Sequence, residues 1–416
     1  MRSPDAAAAG IFHGWIVVAA AFVITFVGFG SAYTFASFLA AFQAEFGASR
    51  GAVSLVFSLA GFLYFALGPV SGALADRWGA RVLTAAGMGL VGLGLILAGR
   101  ATTLMQVYLA YSLGVGLGVG CAYVPALGAV QRWFVKRRGL ASGLAVSGIG
   151  AGTLVLPPLA TWLIAQLGWR DAYLVLGVLA IVPGAAAAWF MEGDPASRGL
   201  HPDGQRPAVV SQSGLAEGLS AREAVRTRPF RGLYIACLIG SLGVFVPFVH
   251  LVPYAAEHGV SDSAAAWLLG AIGVGSTAGR FFLGGMADKF GRERFLIAMH
   301  IGMAAALAIW AASSTWLALA AFALVFGLFY GGWVAVLPAV VADLFGARHV
   351  GAVIGVLYTS VAMGTLIGPS GAGFMHDVLH EDLLTIAACA AANAIAAAVL
   401  MVMLTKPSAK PETSCA

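Results

Sequence analysis

The sequence predicts an all-α polytopic membrane protein with twelve transmembrane helices in two six-helix repeats. Of its 416 residues, 60% are hydrophobic and 10% are charged, and the mean hydropathy is +0.90. A soluble domain has about 25% charged residues, and a disordered chain combines low hydrophobicity with high charge, so both classes are excluded. Because one span needs about 20 apolar residues, a chain of this length with short loops accommodates about a dozen spans.

Twelve apolar segments follow one another along the chain. Their approximate boundaries are 14–42, 51–75, 82–99, 103–130, 140–167, 171–191, 232–256, 263–286, 294–313, 315–342, 351–375 and 383–405. A polar, proline-containing stretch without a long apolar run separates the sixth segment from the seventh. The predicted domains are an N-terminal six-helix bundle (1–191), a cytoplasmic linker (192–230) and a C-terminal six-helix bundle with a short cytoplasmic tail (231–416).

The distribution of basic residues predicts the orientation in the membrane. If both ends and the linker share one side, that side carries 19 of the 23 Lys and Arg residues. The other side carries Arg50, Arg100 and Arg170, and Arg280 lies inside an apolar segment. Because Lys and Arg concentrate in cytoplasmic loops, we expect both termini to be cytoplasmic in a multi-pass protein of the cell (inner) membrane. The basic residues lie in short loops and not on one face, so no nucleic acid partner is expected.

The two halves resemble each other at a fixed offset of 212 residues. The matching positions are Gly72, Ala75, Asp76 and Gly79 with Gly284, Ala287, Asp288 and Gly291, and Gly139, Gly143, Gly152, Thr153, Leu154 and Pro157 with Gly351, Gly355, Gly364, Thr365, Leu366 and Pro369. Because one offset aligns two separated motifs, the halves are predicted to be parallel repeats. Such repeats are typical of alternating-access transporters.

The loop between the second and third segments carries a charged motif. It reads Gly72-Ala-Leu-Ala-Asp76-Arg77-Trp78-Gly79-Ala80-Arg81, with a weaker copy that contains Asp288. The motif resembles the loop signature of the major facilitator superfamily, G-x-L-A-D-R-x-G-R-[RK]. The resemblance implies a conformational gate made of Gly72, Asp76, Arg77, Gly79, Arg81 and Asp288. In that gate Asp76 would help to hold the halves together in the outward-open state. The alternative is that the charged residues of the motif are ordinary loop charges of the cytoplasmic side.

A second motif leads into the fifth segment. It reads Arg132-Trp-Phe-Val-Lys136-Arg137-Arg138-Gly139-Leu-Ala-Ser-Gly-Leu-Ala145. It resembles the monocarboxylate transporter family, with its aromatic-Phe-x-Lys-Arg-Arg-x-Leu-Ala-x-Gly-x-Ala run. The family's opening signature, an acidic residue followed by Gly and two Trp, survives as Gly14-Trp15. The resemblance covers the whole chain in architecture and implies transport of a small monocarboxylate such as lactate or pyruvate.

Arg280 is the one Lys or Arg that lies deep in an apolar segment. An Arg at the centre of a transmembrane helix costs about 2.5–3.5 kcal/mol on insertion scales. The repeat-equivalent residue is Gly68, so the fold itself does not require a cation there. The sequence has no Asp or Glu deep in a segment to pair with it, and a planar guanidinium suits a bound carboxylate. In the resembled family an Arg of the eighth span binds the substrate carboxylate, and Arg280 matches it.

The predicted substrate-binding set is Arg280, Ser276, Tyr330, Tyr123 and Tyr33. Ser276 stands where the family has an acid, on the same helix face as Arg280. Tyr33 stands where the family has a lysine, and both family residues are tied to proton coupling. Tyr330 and Tyr123 lie on helices that line the cavity in this superfamily, and their amphipathic side chains suit a small organic acid. The alternative is that these two tyrosines face lipid or the core.

Two titratable residues of the seventh segment are predicted candidates for proton coupling. His250 lies deep in the segment and Glu257 at its outer end. Because an imidazole exchanges protons near physiological pH, His250 is suited to carry one. The alternatives are a neutral His250 bonded to a backbone carbonyl near Pro247 or Pro253, and a Glu257 that is solvated.

The predicted function is secondary active transport of small monocarboxylates by alternating access, with a proton as the coupled ion. The alternatives are an exporter of amphipathic or drug-like compounds and a carboxylate sensor that does not transport. The predicted partners are a small organic anion, a proton and the lipid bilayer, and the oligomeric state is not specified. The four cysteines form no CxxC or Cys/His pattern, so no metal site is expected. No His/Ser/Asp or metal constellation lies deep in the segments, so no enzyme activity is expected, and no cofactor is predicted.

Overall fold

The structure is a computed structural model that describes residues 12–135, 137–204, 218–346 and 349–404, with the backbone alone for Arg138, Asp288 and Leu404. Within these ranges the regular structure is helical, apart from an isolated bridge between Gly218 and Gly346. The described ranges contain eleven helices long and apolar enough to cross a membrane, or twelve if a bent pair forms one span. The predicted all-α architecture with twelve spans is confirmed.

The first half contains spans 1 to 6. They are α1 (His13–Tyr33) with α2 (Phe35–Phe46); α3 (Arg50–Ala66) with α4 (Gly68–Trp78); α5 (Ala80–Gly99); α6 (Leu104–Val107) with the π-helix Tyr108–Leu117 and α7 (Gly118–Trp133); α8 (Arg138–Leu167); and α9 (Trp169–Trp189). Span 2 is the bent pair, and its two helices meet at 52°. Pro69 in the first turn of α4 causes this bend, because it has no backbone N–H to continue the hydrogen-bonding pattern of α3.

The second half contains spans 7 to 12. They are α11 (Arg228–Val244) with α12 (Pro247–Glu257), α13 (Asp262–Phe290), α14 (Arg292–Ala311), α15 (Trp316–Phe345), α16 (Val350–Leu379) and α17 (Leu383–Leu404). Two 3₁₀ turns (Pro195–Arg198 and Pro202–Gly204) and α10 (Ala221–Ala224) lie between the halves, and residues 205–217 of the predicted linker fall outside the described ranges. Spans 1 and 7 break at Thr34 and Val246, positions that are 212 residues apart.

Small residues allow the helices to approach closely. Gly114 of span 4 packs against Gly94 of span 3, since a Cβ on Gly94 would lie 2.6 Å from the Cα of Gly114. The two halves meet in the same way, because a Cβ on Gly150 of α8 would lie 2.7 Å from the backbone oxygen of Gly273 of α13. Such contacts let backbones of neighbouring membrane helices touch, where dispersion forces stabilise them.

The order of the spans defines two faces of the molecule. Span 1 begins, span 6 ends and span 7 begins on one side, which we call the linker face. The first residue of span 2, Arg50, and the last residue of span 7, Glu257, lie on the other side, which we call the opposite face.

Candidate functional site

Arg280 lies in the middle of α13, and its side chain is 6% exposed. Its Nε, Nη1 and Nη2 atoms are buried, and none of them has a hydrogen-bond partner among the residues that the structure describes. A guanidinium has five N–H donors, and a buried charge without a partner is costly. The site therefore holds a cation with free capacity to bind an anion.

Ser276 and Tyr123 extend this site. Ser276 lies one helical turn before Arg280, is 2% exposed, and its Oγ also has no hydrogen-bond partner in the described ranges. Tyr123 of α7 and Arg280 line one cavity of about 520 Å³. The same cavity reaches Gln131 and Arg292, which lie near helix ends on the linker face. Its size falls within the range of pockets that bind small organic molecules.

Tyr33 and Tyr330 join the two halves beside Arg280. Their hydroxyl oxygens are 3.2 Å apart, and the ring of Tyr33 stacks on Phe248 with centroids 4.4 Å apart. All three aromatic side chains are buried. The hydroxyl groups of Tyr330, Tyr123 and Tyr33 all lie within electrostatic range of the Arg280 guanidinium. The structure thus brings the five predicted substrate-binding residues to one place.

The rest of the wall around these tyrosines is aromatic and aliphatic. Besides Tyr123 and Tyr330, its aromatic residues are Phe29, Phe65, Phe245, Trp333 and Tyr358. The Nε1 of Trp333 is buried and has no hydrogen-bond partner in the described part of the chain. A mostly apolar wall with a few polar tips is typical of a site for a small organic molecule.

His250 is buried, 3% exposed, and both of its ring nitrogens are engaged. Its Nδ1 accepts a hydrogen bond from Nε of Arg50 at 3.1 Å, so Nδ1 carries no hydrogen. Its Nε2 therefore donates to the carbonyl oxygen of Pro369 at 2.8 Å. This geometry corresponds to the alternative of a neutral histidine bonded to a backbone carbonyl. The carbonyl belongs to Pro369 of span 11 and not to a residue near Pro247 or Pro253. The role of His250 as a proton carrier stays a prediction.

Glu257 is paired and not simply solvated. Its Oε1 accepts a hydrogen bond from Nη1 of Arg50 at 2.8 Å, and its side chain is 47% exposed. Arg50 is the functional candidate that sequence reasoning missed, because it appears there as one of a few charges in short loops. The structure buries Arg50 to 2% exposure. The signal was the concentration of acids (Glu257, Asp377 and Asp382) on a face that has few basic residues.

The predicted gate residues lie at the linker face. Asp76 contacts Arg132 at 3.4 Å, and Arg81 contacts Glu192 at 3.2 Å. Neither contact reaches the second half. The predicted bridging by Asp76 concerns the outward-open state and stays a prediction. Gly79 has φ +87° between α4 and α5, a conformation that glycine adopts readily.

The other gate positions make few distinctive contacts. Arg77 is exposed, and Gly72 packs loosely, since a Cβ there would meet Val124 at 3.6 Å. The side chain of Asp288 lies outside the described residues.

The comparisons with known proteins agree with this architecture. The family model described as Major Facilitator Superfamily matches residues 21–256 and 233–414. Mouse Monocarboxylate transporter 11 is 31% identical over 382 residues, which cover 88% of this chain and 81% of the relative. Rat Monocarboxylate transporter 3 is 32% identical over 379 residues, which cover 88% and 75% of the two chains.

A solved structure shares the fold. A bacterial homolog of the human lysosomal transporter Spinster, in an inward-facing and unoccupied conformation, superposes with a TM-score of 0.68 at 16% identity over 95% of each chain. The chain belongs to the Major Facilitator Superfamily and, within it, to the monocarboxylate transporter family. It is therefore a multi-pass membrane transporter and not an enzyme.

Proposed function

We propose that this chain carries small monocarboxylates of the lactate and pyruvate type across the cell (inner) membrane by alternating access, together with a proton. The observation that carries the proposal is the guanidinium of Arg280, which is buried between the halves and has no hydrogen-bond partner among the described residues. The names of its relatives, Monocarboxylate transporter 11 and Monocarboxylate transporter 3, support the substrate class.

The substrate carboxylate takes two parallel hydrogen bonds from Arg280, the geometry that an Arg fork favours. The Oγ of Ser276 and the hydroxyl of Tyr330 reach the remaining oxygen positions, and Tyr123 bounds the site on the side of the first half. Tyr33 holds the Tyr330 hydroxyl until the substrate replaces it. One cation neutralises one carboxylate, so a dianion would leave its second charge against an aromatic wall.

Transport follows from rocking of one half against the other around this site. The cavity that contains Arg280 extends to the linker face, and contacts between Arg50 and the second half close the opposite face. We assign the linker face to the cytoplasm, because it carries most of the basic residues. A proton that travels with the anion makes the load neutral overall, and His250 and Glu257 are its proposed carriers.

Uptake into proteoliposomes tests the proposal. Radiolabelled lactate is offered with and without an inward proton gradient to the natural chain, to Arg280→Ala and to Arg100→Ala. Arg100 is exposed at the end of α5 and provides a matched loss of one charge away from the site. We expect uptake stimulated by the gradient in the natural chain and in Arg100→Ala, and none in Arg280→Ala.

Two results would overturn the proposal. One is full uptake by Arg280→Ala in a preparation that elutes as a single folded species in size-exclusion chromatography. The other is a natural chain that transports neither lactate nor any of a panel of small monocarboxylates. If uptake depends on Arg280 but is the same with and without the proton gradient, the chain transports the anion without a coupled proton.

A further inference from the structure

A cluster of charged and titratable side chains holds the opposite face together. We call it the Arg50 cluster, and it consists of Arg50, His250, Glu257, His376, Asp377 and Asp382. Arg50 begins span 2 in the first half, and the other five residues belong to the second half. Every contact of Arg50 in the cluster therefore joins the two halves.

The backbone of span 2 is fixed by the same cluster. Asp377 of α16 accepts hydrogen bonds from the backbone N–H groups of Arg50 at 2.9 Å and Gly51 at 2.8 Å. These groups are the first donors of α3 and have no partner within the helix, so the carboxylate caps the helix from the other half. The opposite face must lose these contacts to open.

His376 occupies a special position in the cluster. Its Nδ1 lies 3.0 Å from Oδ1 of Asp382, so Nδ1 donates its hydrogen to that carboxylate. Nη1 of Arg50 lies nearly equidistant from the two ring nitrogens, 3.3 Å from Nδ1 and 3.2 Å from Nε2, so the in-plane lone pair of Nε2 does not face the guanidinium. The imidazole is 21% exposed, which gives it access to water at the opposite face.

We propose that Nε2 of His376 is a proton-binding site, and that a proton bound there releases Arg50 and opens the opposite face. The proton comes from the aqueous phase on that side and occupies the lone pair of Nε2. Two cations, the guanidinium of Arg50 and the imidazolium of His376, then stand 3.2 Å apart and repel each other. This inference rests on the alternating-access transport proposed above.

The neighbouring carboxylates should make the release of Arg50 by a protonated His376 more complete. Nε2 of His376 lies 4.0 Å from Oε1 of Glu257, the carboxylate that now binds Arg50. A protonated His376 therefore competes with Arg50 for Glu257, while its Nδ1 keeps Asp382. His250 loses its hydrogen-bond donor when Arg50 leaves, and its Nδ1 then becomes free to accept a proton.

The same groups do not form a metal site while Arg50 is in place. Glu257, His376 and Asp382 each offer one ligand atom within 4.8 Å of the others. Nη1 of Arg50 already contacts all three of them, at distances from 2.8 to 3.8 Å. A cation bound between these residues would have to displace the guanidinium, whereas a proton on His376 needs no more room than the structure provides.

Accessibility of a buried position tests the proposal without any substrate. Ser58 lies about two turns below Arg50 in α3, is fully buried, and its Oγ accepts a hydrogen bond from the backbone N–H of Ser370 in the second half. A membrane-impermeant maleimide therefore reaches Ser58→Cys from the opposite face when the halves separate there. The full chain, with its own cysteines replaced, is labelled in membranes at about pH 7.5 and about pH 5.5.

The labelling rate of Ser58→Cys is divided by that of Ser263→Cys, which is exposed on the same face and corrects for the pH dependence of the reagent. We expect this ratio to rise about tenfold at the lower pH. His376→Gln keeps an acceptor for Arg50 but binds no proton, so the ratio should stay low at both pH values. Arg50→Gln should give a high ratio at both.

His380→Asn is the matched control, since His380 is an exposed histidine four residues from His376, and its φ of 55° is one that asparagine tolerates. It should respond to pH like the natural chain. A pH response that survives intact in His376→Gln, or a low ratio in Arg50→Gln, would overturn the proposal. Neither result depends on lactate uptake, so a failure of the transport proposal is recognised separately.

Discussion

The hydroxyl groups of Tyr33 and Tyr330 lie 3.2 Å apart, and this contact links span 1 to span 10 across the two halves. Both side chains are buried, and the guanidinium of Arg280 is close enough to both to interact electrostatically. The hydroxyl of Tyr330 is thus held by another tyrosine in this structure. In the proposed function, a substrate carboxylate bound to Arg280 would offer the same hydroxyl a charged acceptor, which makes a stronger hydrogen bond.

Tyr330→Phe should therefore weaken substrate binding without disturbing the fold. The loss of one hydrogen bond to a charged group corresponds to about 1.5–3 kcal/mol, so KM for lactate should rise by roughly ten- to a hundredfold. Tyr33→Phe removes the competitor for the same hydroxyl and should leave KM unchanged or lower it. Initial uptake rates over a range of lactate concentrations measure both effects. A KM that rises equally in both variants would show that the two hydroxyls act as a pair.

Ser276→Asp should convert the free guanidinium into an internal ion pair. A carboxylate four residues before Arg280 lies on the same helix face and offers the partner that the described structure lacks. We expect Tm to rise by several degrees, since an uncompensated buried charge gains a partner. Lactate uptake at pH 7 should fall at least about tenfold, because Arg280 is occupied, and it should recover in acid as the new carboxyl is protonated.

Ser276→Asn is the matched control for this change. It introduces a side chain of nearly the same size without a charge, so it should show neither the gain in Tm nor the dependence on acidic pH. Equal behaviour of the two variants would mean that volume, and not occupation of Arg280, determines the effect.

The sequence was sufficient for those features that depend on local composition or on the repeat. Arg280 was recognisable because a charge inside an apolar segment is rare and costly. The loop motifs around Asp76 and Asp288 indicated the two repeats, because they align at an offset of 212 residues. Both signals are patterns of the linear sequence, so they can be recognised without knowing which residues pack together.

Contacts between distant parts of the chain could not be predicted in this way. Arg50 follows Ser49 at the polar start of a span, so its sequence context indicates a loop charge. Its burial results from residues of the second half, 200 to 332 positions further along the chain. The hydrogen bond between Tyr33 and Tyr330 spans 297 positions, and no periodicity of the sequence indicates it.

Glu192 should stabilise the linker face in a pH-dependent manner. It accepts hydrogen bonds from Nε and Nη2 of Arg198 at 2.5 and 2.6 Å, and these hold the pKa of its carboxyl below the usual value. A lowered pKa means that the stabilisation is complete above the ordinary carboxyl pKa and is lost as pH falls through the folded-state value. Glu192→Gln should thus have a lower Tm than the natural chain at pH 7, with the difference vanishing in strong acid.

Thermal unfolding at a series of pH values between about 7 and 3 measures this difference. Glu381→Gln provides the control, because Glu381 is an exposed acid. Its Tm should follow that of the natural chain throughout. A Tm difference for Glu192→Gln that stays constant down to pH 3 would contradict the assignment, since it would not depend on ionisation.

Gly331→Ala should reduce transport, because the added Cβ would displace the backbone of α13, the helix that carries Arg280. Gly331 of α15 packs against the backbone of Ser276 in α13, and a Cβ there would overlap the Ser276 carbonyl oxygen. Since a helix backbone cannot rotate away, α13 must shift as a unit and move Arg280 with it. Overpacking costs about 1–3 kcal/mol of stability, and a displacement of about 1 Å can lower a rate about a hundredfold.

The control for this substitution is Gly89→Ala. A Cβ on Gly89 of α5 would meet no atom within 4 Å, so the alanine should fit and slightly favour the helix. Uptake and Tm measured together distinguish the two positions. We expect both to fall in Gly331→Ala and neither to fall in Gly89→Ala. Undiminished uptake by Gly331→Ala would mean that the close contact of α13 with α15 does not position Arg280, and the site would then tolerate movement of its main cation.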